Sequence, residues 1–138
     1  MRKIVYNNNV HKDNISQFKG VNNMAQIIKD SGNLSPEELY FLTKSPAVQK
    51  MTSKKGAQIG VSKWCVYEET DANNVPMEIM AILTPDGEMF ATNSPTFIRD
   101  FGEMVDFFHG YGKDVHTVEV ISGTSKNGRE FITCTFVN

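Results

Sequence analysis

A flat aromatic ring can stack a nucleobase while a cation beside it meets the adjoining phosphate, and this chain sets Lys63 directly before its one Trp, Trp64. Between Tyr40 and Tyr67 stand Lys44, Lys50, Lys54, Lys55 and Lys63 with no acid among them; Glu68, Glu69 and Asp71 then reverse the sign at once. Aromatics interleaved with lysines on strands suit a single-stranded nucleic acid, where stacking is worth about 1–3 kcal/mol per base. A lone Trp in a small barrel is also often core. Ile59, Val61, Lys63, Cys65 and Tyr67 share one parity, Gly60, Ser62, Trp64 and Val66 the other, and that alternation does not declare the buried side. The neighbouring charges favour a surface groove for Trp64. Phe90, after the Asp-Gly of "PDGEMF", would project across the same face, and Tyr67 is a further candidate of opposite parity.

Other chemistries are thinly provided for. His109 and His116 flank the glycine-rich end of a helical segment, where an imidazole can simply meet terminal carbonyls, and His11 falls in an N-terminal arm. Cys65 and His116 could be drawn as a thiol and its base, but no nucleophile-elbow or oxyanion pattern accompanies them. Cys65 and Cys134 lie in apolar strand-like runs without Cys-x-x-Cys spacing, so buried thiols are expected and neither zinc nor a disulfide framework is. "GKD" and "GTSKNG" lack the spacing of a phosphate loop, and the acids at 68–71 with Asp86 and Glu88 do not spell a calcium loop. No cofactor, metal or catalytic set is expected.

The elements that would position these residues can be read from caps and periodicity. "LSPEELYFLTKSP" supplies Ser35 as N-cap, Pro36 at the first helical position and Glu38 as the reciprocal partner of a capping box. "KSPAVQKM" repeats the start with Ser45 and Pro46, which predicts a second short helix or helical turn before the lysine-rich loop at 52–56. A brief helix is expected over Met24–Asp30, stopped by Gly32, and a short strand over Lys3–Tyr6. Strands follow at Ala57–Tyr67, Pro76–Leu83 and Met89–Thr92, the last two joined by the "TPDGE" turn. Ser94 and Pro95 open the clearest helix, with Phe97, Phe101, Met104 and Phe108 three and four apart as core positions. Strands at Val115–Ser122 and Glu130–Val137, joined by "GTSKNGR", complete the chain.

Three strands, a helix and two strands is the order of the OB-fold, a five-stranded barrel whose helix plugs one end. The expected fold is thus mainly β: an OB-like five-stranded antiparallel barrel over residues 57–138, with one helix between strands 3 and 4. An N-terminal arm and short helical extension over residues 1–56 precede it within one compact unit. An open antiparallel sheet with a helix across one face is the rival arrangement.

The 138 residues suffice for one core, and 40% apolar with 22% charged residues is the balance of a globular protein. No apolar run approaches a membrane span, and Met1–Gly20 lacks the apolar centre of a secretory signal, so no membrane partner and a cytoplasmic location are expected. The formal charge of −2 says nothing of where the cations lie.

"MAILTPDGEMFATNSPTFIRDFGEMVDFF", followed by "VEVISGTSKNGREFITCTFV", resembles the small single-stranded DNA-binding proteins encoded by tailed phages of Gram-positive hosts, over roughly Ala57 to the end of the chain. The resemblance implies an OB-like barrel that binds single-stranded DNA with little sequence preference and protects it during phage replication or recombination in a bacterial cytoplasm. It carries the family's binding-face aromatics onto Trp64 and Phe90, and a basic or polar loop position onto Lys126. The expected interface is therefore Trp64, Phe90 and Tyr67 for bases, with Lys54, Lys55, Lys63, Lys126 and Arg129 for phosphates. Ser35–Gly56 is more elaborate than in the smallest members, as an oligomerisation element or a clamp would be, and leaves room for a homo-oligomer. The chain ends "TCTFVN" without an acidic tail, so recruitment through such a tail is not expected. The competing function is an OB-like phage module that binds a host replication or defence protein, with Trp64 as its anchor.

Overall fold

The computed structural model describes residues 25–138. The strand expected at Lys3–Tyr6, and His11, lie outside them. Along the chain run β1 (Gln26–Asp30), α1 (Pro36–Lys44), β2 (Gln49–Lys50), a 3-10 turn (Met51–Lys54), β3 (Gln58–Gly60), β4 (Lys63–Thr70), β5 (Pro76–Leu83), β6 (Met89–Thr92), α2 (Pro95–His109), β7 (Thr117–Thr124) and β8 (Glu130–Phe136).

The protein is mainly β, but in place of one closed five-stranded barrel its described strands form two sheets. One has the order β1-β4-β5-β6-β2, the other β3-β7-β8. All pairs are antiparallel except β2 with β6. The single strand expected over Ala57–Tyr67 breaks at Val61–Ser62, because there the backbone changes partners. Val61 donates its N–H to the His116 carbonyl (2.7 Å), and Ser62 donates to the Leu83 carbonyl (2.9 Å). The bend sends β3 into one sheet and β4 into the other.

Local chemistry explains the elements that match expectation. At α1, Glu38 donates its N–H to Ser35 Oγ (3.1 Å) while the Glu38 carboxylate accepts from the Ser35 N–H (2.8 Å), closing the capping box. At α2, Ser94 Oγ accepts from the Phe97 N–H (3.3 Å) and itself donates to the Ile132 carbonyl of β8 (2.7 Å), so one hydroxyl both caps the helix and ties it to the sheet. In the turn between β5 and β6, Thr84 donates to the Glu88 carbonyl (2.8 Å), and Gly87 supplies the positive φ of 92° that a side chain would resist.

One expectation is corrected and another narrowed. Gln26–Asp30 is an edge strand and not a helix; it pairs with β4 from Gln26↔Glu68 to Asp30↔Cys65, with a bulge between Ile27 and Lys29. Five residues without an apolar stripe gain little from a helix, whereas the open edge of β4 satisfies their backbone groups. Ser45 and Pro46 start a single turn, closed by the Val48 N–H on the Ser45 carbonyl (3.3 Å), and not a second helix. Ser45 closes α1 by donating its N–H to the Phe41 carbonyl (3.0 Å), and β2 follows four residues later.

The main core lies between the two sheets and α2, where Trp64, Ile82, Phe90, Phe97, Phe101 and Val118 meet. A smaller one forms on the opposite face of the five-stranded sheet, where Leu42 of α1 closes over Cys65, Tyr67 and Ala81. The helical extension is therefore built into the fold: it contributes two strands to the larger sheet and covers that sheet's outer face.

Candidate nucleic-acid interface

Trp64 is 7% exposed, its ring edge-on to Phe101 at 5.4 Å between centroids, and Phe90 is fully buried. Neither ring offers a face to a ligand, which corrects their placement in a surface groove. Their parity on β4 and β6 directs both into the main core. Tyr67 points the other way and is buried too, at 5%, beneath α1. Its hydroxyl is pushed up to about 12, first by burial and then by the charges of Glu69 and Cys65. All three aromatics chosen from the sequence are structural.

The cations divide in two. Lys63 reaches both carboxylate oxygens of Glu38 at 2.8 Å, and that contact is the largest cause of the Glu38 carboxyl lying below its ordinary value, followed by the Ser35 N–H. Lys63 therefore latches α1 to β4 and is not presented for phosphates. Lys55, Lys126 and Arg129 lie along the three-stranded sheet and its β7–β8 turn, whereas Lys54 stands against Phe90 of the other sheet. The Gly56 N–H donates to the Val120 carbonyl (2.7 Å) and the Val120 N–H to the Ala57 carbonyl (2.9 Å), stapling the lysine loop to β7. Lys55 reaches forward to Glu130, the first residue of β8, at 2.9 Å, and this bond lowers the Glu130 carboxyl. Arg129, next to Glu130, closes the β7–β8 turn: Ser125 donates its N–H to the Arg129 carbonyl (2.8 Å), while Ser125 Oγ accepts from the Arg129 N–H (3.2 Å). Lys126 sits exposed in that turn. Lys54 stands with its Nζ over the Phe90 ring, 5.4 Å from the centroid, and its charge adds a small part to the lowering of the Asp86 carboxyl, whose largest cause is the bond from Thr84.

Sequence reading missed several features. The outer face of β5 and β6 carries Ile79, Ala81, Leu83, Met89 and Ala91, and lies within the cluster closed by α1. The all-apolar stretch "IMAIL" hinted at a strand covered on both sides. Exposed aromatics lie elsewhere: Tyr40 and Phe41 on α1, and Phe107 at 60% with Tyr111 at 76%, centroids 5.4 Å apart, at the end of α2. Phe107 falls off the 97-101-104-108 stripe, so its exposure was legible.

The thiols offer no nucleophile. Cys65 is fully buried and Cys134 is 7% exposed, and burial first, with a nearby aspartate second, pushes each up to about 12. Among the described residues no group of three or more His, Cys, Asp or Glu could hold a metal ion. Among them, too, no helix is long and apolar enough to cross a membrane. Compared with known proteins, the chain matches no family model, no curated protein and no solved structure.

Proposed function

We propose that the chain binds single-stranded DNA without reading its sequence, through the cationic margin formed by Lys54, Lys55, Lys126 and Arg129. The observation that carries this reading is the stapling of the lysine loop to β7 and of Lys55 to Glu130 on β8, which ties that loop to the hairpin whose turn carries Lys126 and Arg129. Such a margin tracks phosphates and is indifferent to base identity.

The strand order supports an OB-like description of the scaffold. A bent first strand, β3 and β4, is shared between a β4-β5-β6 meander and a β7-β8 hairpin, with α2 between them in sequence. The Ser94 bond to the Ile132 carbonyl draws the two sheets together where such a barrel would close. Protection of single strands during phage replication or recombination is the role that the sequence resemblance lends to this activity.

The test is fluorescence anisotropy of labelled oligo-dT titrated with the full chain at two salt concentrations, against a duplex of equal length. Saturable binding that weakens with salt and favours the single strand is expected. Absence of binding at low salt would sink the reading in favour of a protein-interaction module, whose exposed anchors would be Phe107 and Tyr111.

A further inference from the structure

Phe131 is half-buried and sits opposite Gly123 in the β7–β8 ladder. A Cβ on Gly123 would stand 2.6 Å from Phe131 Cζ and 2.9 Å from Cε1, closer than real side chains come, so the ring lies over the glycine in space that only glycine leaves. Arg129 and Thr133 share the side of β8 that Phe131 faces, because side chains alternate along a strand. Thr133 Oγ1 hydrogen-bonds to the Asp100 carboxylate, and that carboxylate also holds the Arg99 guanidinium at 3.0 Å. Along the strand Phe131 is thus followed by Arg129 toward the turn, with Lys126 beyond, and on its other side by Thr133, which joins Asp100 and its partner Arg99 of α2. The nearby acids are accounted for: Asp100 is engaged by Thr133 and Arg99, Glu130 points to the other side and pairs with Lys55, and Glu119 lies four residues down β7 opposite Thr135.

We infer that the outer face of the β7–β8 hairpin is a base-stacking site, in which Phe131 takes one nucleobase of a single strand while Arg129 and Arg99 meet the phosphates on either side. The inference rests on the single-strand reading above and gives it the aromatic partner that buried Trp64, Phe90 and Tyr67 do not supply. A ring laid over a glycine keeps one face on the backbone and turns the other outward, where any base can stack whatever its identity. Guanidinium groups suit the flanking positions because they both pair with phosphate and stack on bases.

Phe131 also shields the Gly123 backbone, so the experiment must separate binding from folding. Full-length wild type, Phe131→Leu, Phe131→Tyr, Arg99→Gln and Arg129→Gln are titrated against labelled oligo-dT over a range of salt, with emission of the buried Trp64 reporting an intact core. Phe131→Leu is expected to bind about 5- to 100-fold more weakly at every salt with an unchanged log-log slope, and Phe131→Tyr to bind as wild type. Arg129→Gln, which leaves the ring and its glycine in place, is expected to flatten the slope by about 0.7, and Arg99→Gln to flatten it by less, because Arg99 must first release Asp100. Wild-type affinity in a folded Phe131→Leu, or unchanged slopes in both arginine variants, would overturn the site while DNA binding through the lysine loop stood. Failure of the wild type to bind would overturn both.

Discussion

Trp64 and Tyr67 face opposite ways on β4, yet both are buried, and this is why residue types alone misplace them. β4 runs through a sheet covered on one side by α2 and the second sheet and on the other by α1, so both parities are apolar. Lys63 broke the pattern and suggested a wet face; it is a half-buried partner of Glu38. The Glu38 carboxyl lies below its ordinary value of 4.5, so its bond to Lys63 stabilises the fold above that pH and is lost as the pH falls through the lowered folded value. Urea midpoints of wild type and Glu38→Gln should therefore differ at about pH 6 and converge on acidification below 4.5; a gap that persists in acid would show that Lys63 is not the cause. The thiols yield a second expectation. With Cys65 and Cys134 buried and raised to about 12, iodoacetamide at about pH 8 should leave both unmodified in the native chain and alkylate both in urea. Rapid native labelling of Cys65 would mean that α1 opens readily.

At the scale of elements, whatever is encoded by local chemistry was legible and whatever depends on a distant partner was not. The capping box at Ser35, the Ser94-Pro95 start of α2, the limits of β5 and β6 and the Asp-Gly turn all follow from neighbours within a few residues. β1 became a strand only because β4 leaves an open edge, and the bend between β3 and β4 exists because two sheets compete for one run of chain. The placement of α1 was the largest omission, since nothing in "EELYFLTK" says which surface Leu42 will find. That side chain is 1% exposed and seals Cys65, Tyr67 and Ala81. Leu42→Ala should cost about 2–5 kcal/mol of unfolding free energy, as other buried leucines do when truncated, whereas Tyr40→Ala, on the exposed side of the same helix, should cost less than about 0.5 kcal/mol. Equal effects in chemical denaturation would mean that α1 is not docked as described.

For the whole molecule, a central sheet covered by α1 on one face and by α2 and the second sheet on the other leaves its margins for the proposed binding. Net charge says nothing of this, because the acids are spread over both helices, several strands and the loops, with Glu130 paired to Lys55. A ligand held at the lysine loop and the hairpin lies apart from Trp64, whose ring is enclosed by Phe101 and has Lys29 at 5.9 Å as its nearby cation. Titration with oligo-dT should thus raise the anisotropy of a labelled strand while leaving Trp64 emission almost unchanged. Each phosphate neutralised on a single strand contributes about 0.7 to the negative log-log salt slope, so the four cations of the margin bound that slope at about 3. Adding Arg99 would raise it by less than one further increment, because Arg99 must first release Asp100. A slope far above this would require cations outside the margin, and strong quenching of Trp64 would require the core beside Phe101 to open on binding. Joint substitution of Lys54 and Lys55 by Gln should lower the slope by about 1.4, with the larger share from Lys54, because Lys55 must first release Glu130.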